Sequence, residues 1–172
     1  MNKIYTTLLM LLFIGCSQKF DIKPYSHPQK IKIKNNIRRM LKQTTDPFLI
    51  IEDPETKKFV QLYNENGNIL FDLPEVALTE SEIKHANKYF SKYGIGLSES
   101  KARSVETRKI FIMKSWRKIY PLKDIDKAVN LTLGALYEIY GFSELKQFNI
   151  IIGWDESPGK ISPPTAEPLR KK

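Results

Sequence analysis

Asn66-Gly67 separates two short runs, "KFVQLYN" and "NILFDLP", and in the second the residues alternate in period two. Ile69, Phe71 and Leu73 share one face and Leu70 and Asp72 the other, the spacing of a strand rather than a helix. Asn-Gly supplies the two left-handed residues that a tight hairpin turn needs. An antiparallel hairpin is therefore fixed at this point of the chain. Upstream, "PFLIIE" follows Asp46-Pro47 and stops at Asp53-Pro54, which adds a third strand on a short link.

Helical periods surround these strands. Ile33, Ile37, Met40 and Leu41 recur at i, i+4, i+7 and i+8, a helix ending near Thr44. Thr79 and Glu82 have the spacing of a capping box, and Ile83, Ala86, Phe90 and Tyr93 then share a face that Gly94 closes. Residues 95–107 fit neither period. "RKIFIMKSW" sets Ile110 and Ile112 against Phe111 and Met113, a strand. "PLKDIDKAVNLTLGALYEIYG" predicts a long helix with Ile125, Val129, Thr132, Leu136 and Tyr140 inward, stopped at Gly141. "FNIIIGW" is a last strand whose apolar centre, Ile150 to Ile152, predicts a central or covered position. The order α-βββ-α-β-α-β predicts an α+β fold, a mainly antiparallel sheet with helices packed on one face, as a single domain over 31–156. Element order, with "FVQLYNENGNILFDLP" and "ALYEIYGF", resembles the small α/β domains of type III secretion chaperones over about residues 31–142. That resemblance implies a groove for an extended peptide; the closing strand at 148–154 departs from it, and no binding residue is carried over.

The amino-terminal end has a different layout. Lys3 precedes eleven largely apolar residues, Ile4 to Ile14, and then Gly15-Cys16-Ser17. At ~1.5 Å per residue such a run covers about half of a ~30 Å hydrocarbon core, so it is too short to span. It has the form of a secretory signal. Phe13-Ile14-Gly15-Cys16 resembles the lipobox of bacterial lipoproteins, with Phe13 where Leu is usual. The resemblance implies a signal peptide over 1–15, diacylglyceryl transfer to the Cys16 thiol, cleavage before it and further acylation, typically palmitate, of the freed amine. Ser17 after the cysteine implies an outer-membrane destination, facing the periplasm, in a two-membrane cell. Two or more chains at about 0.8 kcal/mol per buried CH₂ give stable anchoring. The alternative is an ordinary signal with a chance cysteine. Cys16 is the only cysteine, so no internal disulfide competes for it. Residues 16–30, with Pro24 and Pro28, read as a flexible tether spanning at most ~45 Å. Residues 157–172, with four prolines, read as a disordered tail.

The net charge of +9 sits on these flanks. Residues 17–45 hold eight Lys/Arg and one acid, residues 157–172 four and one, and residues 46–156 fifteen basic and seventeen acidic side chains. A nucleic-acid-binding domain carries its basic patch on the folded body, so nucleic acid is not the expected partner. Basic residues close behind an anchor instead favour an anionic bilayer at about 1 kcal/mol each.

Catalytic and metal signatures are sparse. His27 lies in the tether and His85 alone on a helix, without zinc-site spacing, and no cofactor is expected. "GLSES" at 96–100 lacks the second glycine and the strand-turn-helix setting of a nucleophile elbow. Gly94-Ile95-Gly96 follows a helix instead of opening one, so it is no phosphate cradle. Most aromatics fall on inward positions, so core is their default; Tyr89, Trp116, Tyr120 and Tyr137 are those that can reach the surface, and a binding patch is sought there first. The expectation is a membrane-anchored envelope lipoprotein, not an enzyme, whose α+β body binds a peptide or protein. An envelope hydrolase using unmarked carboxylates, or a structural lipoprotein touching peptidoglycan through its Lys-rich ends, are the alternatives.

Overall fold

Asn66 and Gly67 take φ values of 51° and 81°, and around them Glu65 pairs with Asn68, Asn64 with Ile69 and Tyr63 with Leu70. The computed structural model describes residues 22–43, 47–103 and 110–153. The signal peptide expected over 1–15, Cys16 and the tail expected over 157–172 lie outside the described residues. Strands β1 (Phe48–Glu52), β2 (Phe59–Glu65), β3 (Asn68–Pro74), β4 (Leu97–Arg103), β5 (Ile110–Tyr120) and β6 (Asn149–Gly153) form one antiparallel sheet in the order β4-β5-β3-β2-β1-β6. Helices α1 (Lys30–Met40), α2 (Glu80–Ser91) and α3 (Ile125–Glu138) cover one face, so the fold is α+β. Strand alternation builds the core: Leu49, Ile51, Val60, Leu62, Ile69, Phe71, Leu73 and Trp116 all face the helices. Thr79 starts α2 as its spacing predicts, its hydroxyl accepting from the Glu82 amide at 3.3 Å while the Glu82 carboxylate accepts from the Thr79 amide at 2.8 Å.

Three expectations are corrected. Residues 97–103, unassigned by period, form β4. Helix α1 ends at Met40, short of Thr44, its last exposed turn passing to Leu41. Strand β6 is neither central nor covered: it lies at the sheet edge, Ile150 and Ile152 half-buried against the core and Ile151 exposed on the opposite face.

The middle of helix α3 is enclosed on every side. Each residue from Ala128 to Leu136 is buried, including Asn130 and Thr132, whose hydroxyl donates to the Ala128 carbonyl at 2.9 Å. The sheet lies beneath it and α1 and α2 flank it. Its outer side is closed by residues 22–28, expected to be a free tether. Ile22, Tyr25 and His27 are buried there. The Tyr25 amide donates to Asn130 Oδ1 at 3.3 Å and its hydroxyl to Glu138 at 3.1 Å. His27 Nδ1 accepts from the Gln29 amide and Nε2–H donates to the Lys146 carbonyl, both at 2.9 Å, which sets the neutral tautomer. Burying one side chain the size of Ile22 contributes about 1.5–3 kcal/mol relative to leaving it in water. Five residues, 17–21, separate Cys16 from Ile22 in the sequence, so the two lie at most about 20 Å apart.

Gly134 makes this closure possible, because a Cβ there would stand 1.9 Å from the Tyr89 hydroxyl and 2.7 Å from the Tyr25 ring. Gly134→Ala gains up to about 1 kcal/mol of helix propensity and incurs overpacking of roughly 1–3 kcal/mol. The expected result is a lower denaturation midpoint together with faster chymotryptic cleavage after Tyr25. Unchanged midpoint and cleavage would show that the segment does not rest on α3.

Candidate functional site

The sheet face away from the helices carries an apolar field crossed by one polar row. Phe48, Ile50 and Phe59 form a second small core there, with Tyr63 and Ala77 packed against it. Cross-strand register aligns Ile151, Ile50, Gln61, Asp72 and Arg117 from β6 to β5. Asp72 is 1% exposed, although none of α1, α2 and α3 covers this face. The Gln61 amide donates to its Oδ2, and Arg117 Nε lies 3.2 Å from its Oδ1 without the alignment of a hydrogen bond. A carboxylate at this depth costs several kcal/mol unless paired. The directly opposite residues on the two flanking strands supply the donor and the counter-charge. Burial and the Asp72 charge hold the neighbouring Tyr63 hydroxyl well above the ordinary tyrosine range, so it is a neutral donor or acceptor.

Beside this row lies a shallow pocket of about 220 Å³, lined by Pro47, Tyr63, Asn64, Leu70, Asp72 and Arg117, with Glu65 and Met113 at its margin. Asp72 is committed to Arg117 and Gln61, and Glu65 is exposed beside the hairpin turn. The pocket therefore offers a partly exposed guanidinium, a phenol and apolar walls, a set suited to holding a carbonyl or carboxylate against an apolar surface. Among the described residues no group of three or more His, Cys, Asp or Glu could hold a metal ion. His85 is exposed on α2, and Ser98 of the "GLSES" run lies on β4, its hydroxyl donating to the Ser115 carbonyl at 2.9 Å.

The aromatic patch expected from sequence is not a surface. Tyr89 and Trp116 are 1% exposed and Tyr120 is buried. Trp116 stacks on Phe90 with centroids 5.5 Å apart, and Tyr89 lies against Gly134. Tyr137 is half-buried and serves the docked segment, edge-on to Tyr25 at 5.5 Å with its hydroxyl 3.4 Å from the Ser26 carbonyl. Cys16 lies outside the described residues. The exposed apolar side chains are others. Strand β5 outruns β3, and with β4 it projects as a two-stranded ribbon bearing Ile110, Phe111 and Ile112, each 46–63% exposed. Ile119 and Ile151 are exposed on the open face. Asp72 was the one legible signal of this site, an acid within an apolar alternating strand.

The two sheet edges differ. Strand β4 carries Glu99 and Lys101, the kind of charges by which edges resist pairing. Strand β6, "NIIIG", has no charge and no proline, and among the described residues no strand lies on its outer side. No family model, curated protein or solved structure matches this chain.

Arg117→Met leaves the Asp72 carboxylate buried without its counter-charge, a change that costs roughly 3–5 kcal/mol. Asp72→Asn leaves a guanidinium side chain that is already 35% exposed and can rehydrate, so it costs less. Urea denaturation should rank Arg117→Met below Asp72→Asn, with the double variant recovering most of the loss. Equal or additive losses would mean that the pair is not the organising contact.

Proposed function

We propose that the chain is a lipid-anchored protein of a bacterial envelope whose α+β body captures an extended peptide segment without turning it over, adding it as a further strand beside β6. The observation that carries this reading is the character of β6. An apolar strand without charge or proline at an open edge is the element that pairs with another chain, and the opposite edge of the same sheet is charged. Strand addition supplies main-chain hydrogen bonds, and side chains at alternate positions are then read by the surface alongside. Here that surface is the row running inward from Ile151 to Arg117. The lipobox at Phe13 to Cys16 supports an acylated anchor at Cys16, facing the periplasm if the source has an outer membrane.

Ile151→Lys tests the capture site. The side chain is exposed, so stability should change by no more than about 0.5 kcal/mol. Peptides selected on the parent chain from a displayed random library should lose at least tenfold in affinity for the variant. Selected peptides that bind both forms equally would place recognition elsewhere. Cys16→Ser tests the anchor: the variant should accumulate as unprocessed precursor, and intact mass of the parent should show a mature chain beginning at an acylated Cys16. A parent beginning elsewhere, or carrying a bare thiol, would remove the anchor.

A further inference from the structure

We propose that the outward face of α1 seats the body on an anionic lipid surface, with the helix layer towards the bilayer and the open sheet face towards solvent; this rests on the acylated-anchor reading above. Between Lys30 and Gln43 the chain holds six basic residues and no acid. Two are used inside the fold. Lys34 pairs with Asp126 of α3 at 2.7 Å, and Lys30 donates to Asn130 and to the Tyr25 carbonyl, both at 2.9 Å. These two mark the side of α1 that faces α3, while buried Ile33, Ile37 and Met40 mark the side towards the sheet. At 100° per residue, Ile31, Asn35, Arg38 and Lys42 then fall together on the side away from the sheet, with Lys32 and Arg39 beside them. All six are exposed, and Ile31 protrudes at 74%.

A convex helix surface with four cations that make no ion pair among the described residues, Arg38 donating only to Asn35, set around one projecting aliphatic side chain, has no groove for a peptide. It has the composition of a helix resting among anionic headgroups, the isoleucine entering the acyl boundary. Chain geometry brings the bilayer to the same side. Residues 22–28 run over α3 within the helix layer, and from Ile22 back to Cys16 the chain reaches at most about 20 Å. An anchor so short brings the helix layer within contact range of the surface that holds the lipid.

The test uses the full mature chain with Cys16 acylated, so that a cysteine placed at Ile31→Cys or Ile119→Cys is the sole free thiol for a fluorophore. Each labelled protein is reconstituted in vesicles of phosphatidylethanolamine with phosphatidylglycerol, or of phosphatidylcholine alone, containing a headgroup-nitroxide lipid. The label at position 31 should be quenched in the anionic vesicles and released in roughly 1 M NaCl, where the screening length falls to about 3 Å. Quenching should be weak in phosphatidylcholine, and the label at position 119 should stay bright throughout. Arg38→Gln, Arg39→Gln and Lys42→Gln together should lower the docked-to-undocked ratio by roughly 100-fold, about fivefold per charge. Equal quenching at both positions, quenching that ignores salt and headgroup charge, or none at position 31 would overturn the orientation. Intact mass reports separately on the anchor. Should Cys16 prove unmodified, it is replaced by Ser, and the same labels on chains added to preformed vesicles still decide whether α1 docks.

Discussion

Over its middle, from Ala128 to Leu136, helix α3 has no side that can face water. Its residues from Ala128 to Leu136 are apolar, small or internally satisfied, so the chain must enclose it from four directions. The sheet, α1, α2 and residues 22–28 do so, which draws α1, α2 and α3 to one face of the sheet. Gly134 sets how closely the fourth element approaches, since Tyr25 and Tyr89 occupy the space a Cβ would need. The same closure turns a nominal tether into part of the body and fixes the side from which the amino-terminal chain departs.

The other sheet face is left to manage its own polarity. It does so with a second apolar cluster around Phe48, Ile50 and Phe59, and with a buried carboxylate, Asp72, held between Gln61 and Arg117 in strict cross-strand register. A buried pair of this kind is poor value as a source of stability but penalises strand slippage, because a one-residue shift would strand the carboxylate among apolar neighbours. Register at the centre of the sheet in turn fixes Ile151 at the end of the same row. The edge proposed for recognition is thus held in register with Asp72 and Arg117, which line the pocket.

Much of the fold was legible because local and tertiary demands agreed. Asn66-Gly67, the Thr79–Glu82 box and the α3 period each specify structure through contacts within a few residues, and the architecture follows from pairing their apolar faces. The failures have a common physical origin. Strand β4, "LSESKAR", buries too little to show an apolar period, since it lies at an edge and partly on a projecting ribbon. Strand β6 reads as central because hydrophobicity reports the wish for cover and is silent on which element provides it. Tyr89, Trp116 and Tyr120 read as surface aromatics because α2 and β5 pack against more neighbours than a single stripe implies. Asp72 was visible as an anomaly, but its partner Arg117 is 45 residues away in sequence, and only the sheet order brings them together.

The claim on which recognition depends is that the outer side of β6 is open in the free chain, and residue-resolved amide hydrogen exchange measures this directly. Amides of β6 that donate to β1 should exchange slowly, and the alternating amides that point outward should exchange quickly, while both neighbours of β1 keep its amides slow throughout. Uniformly slow exchange along Ile150 to Gly153 in the free protein would mean that the edge is already covered, and would contradict the account.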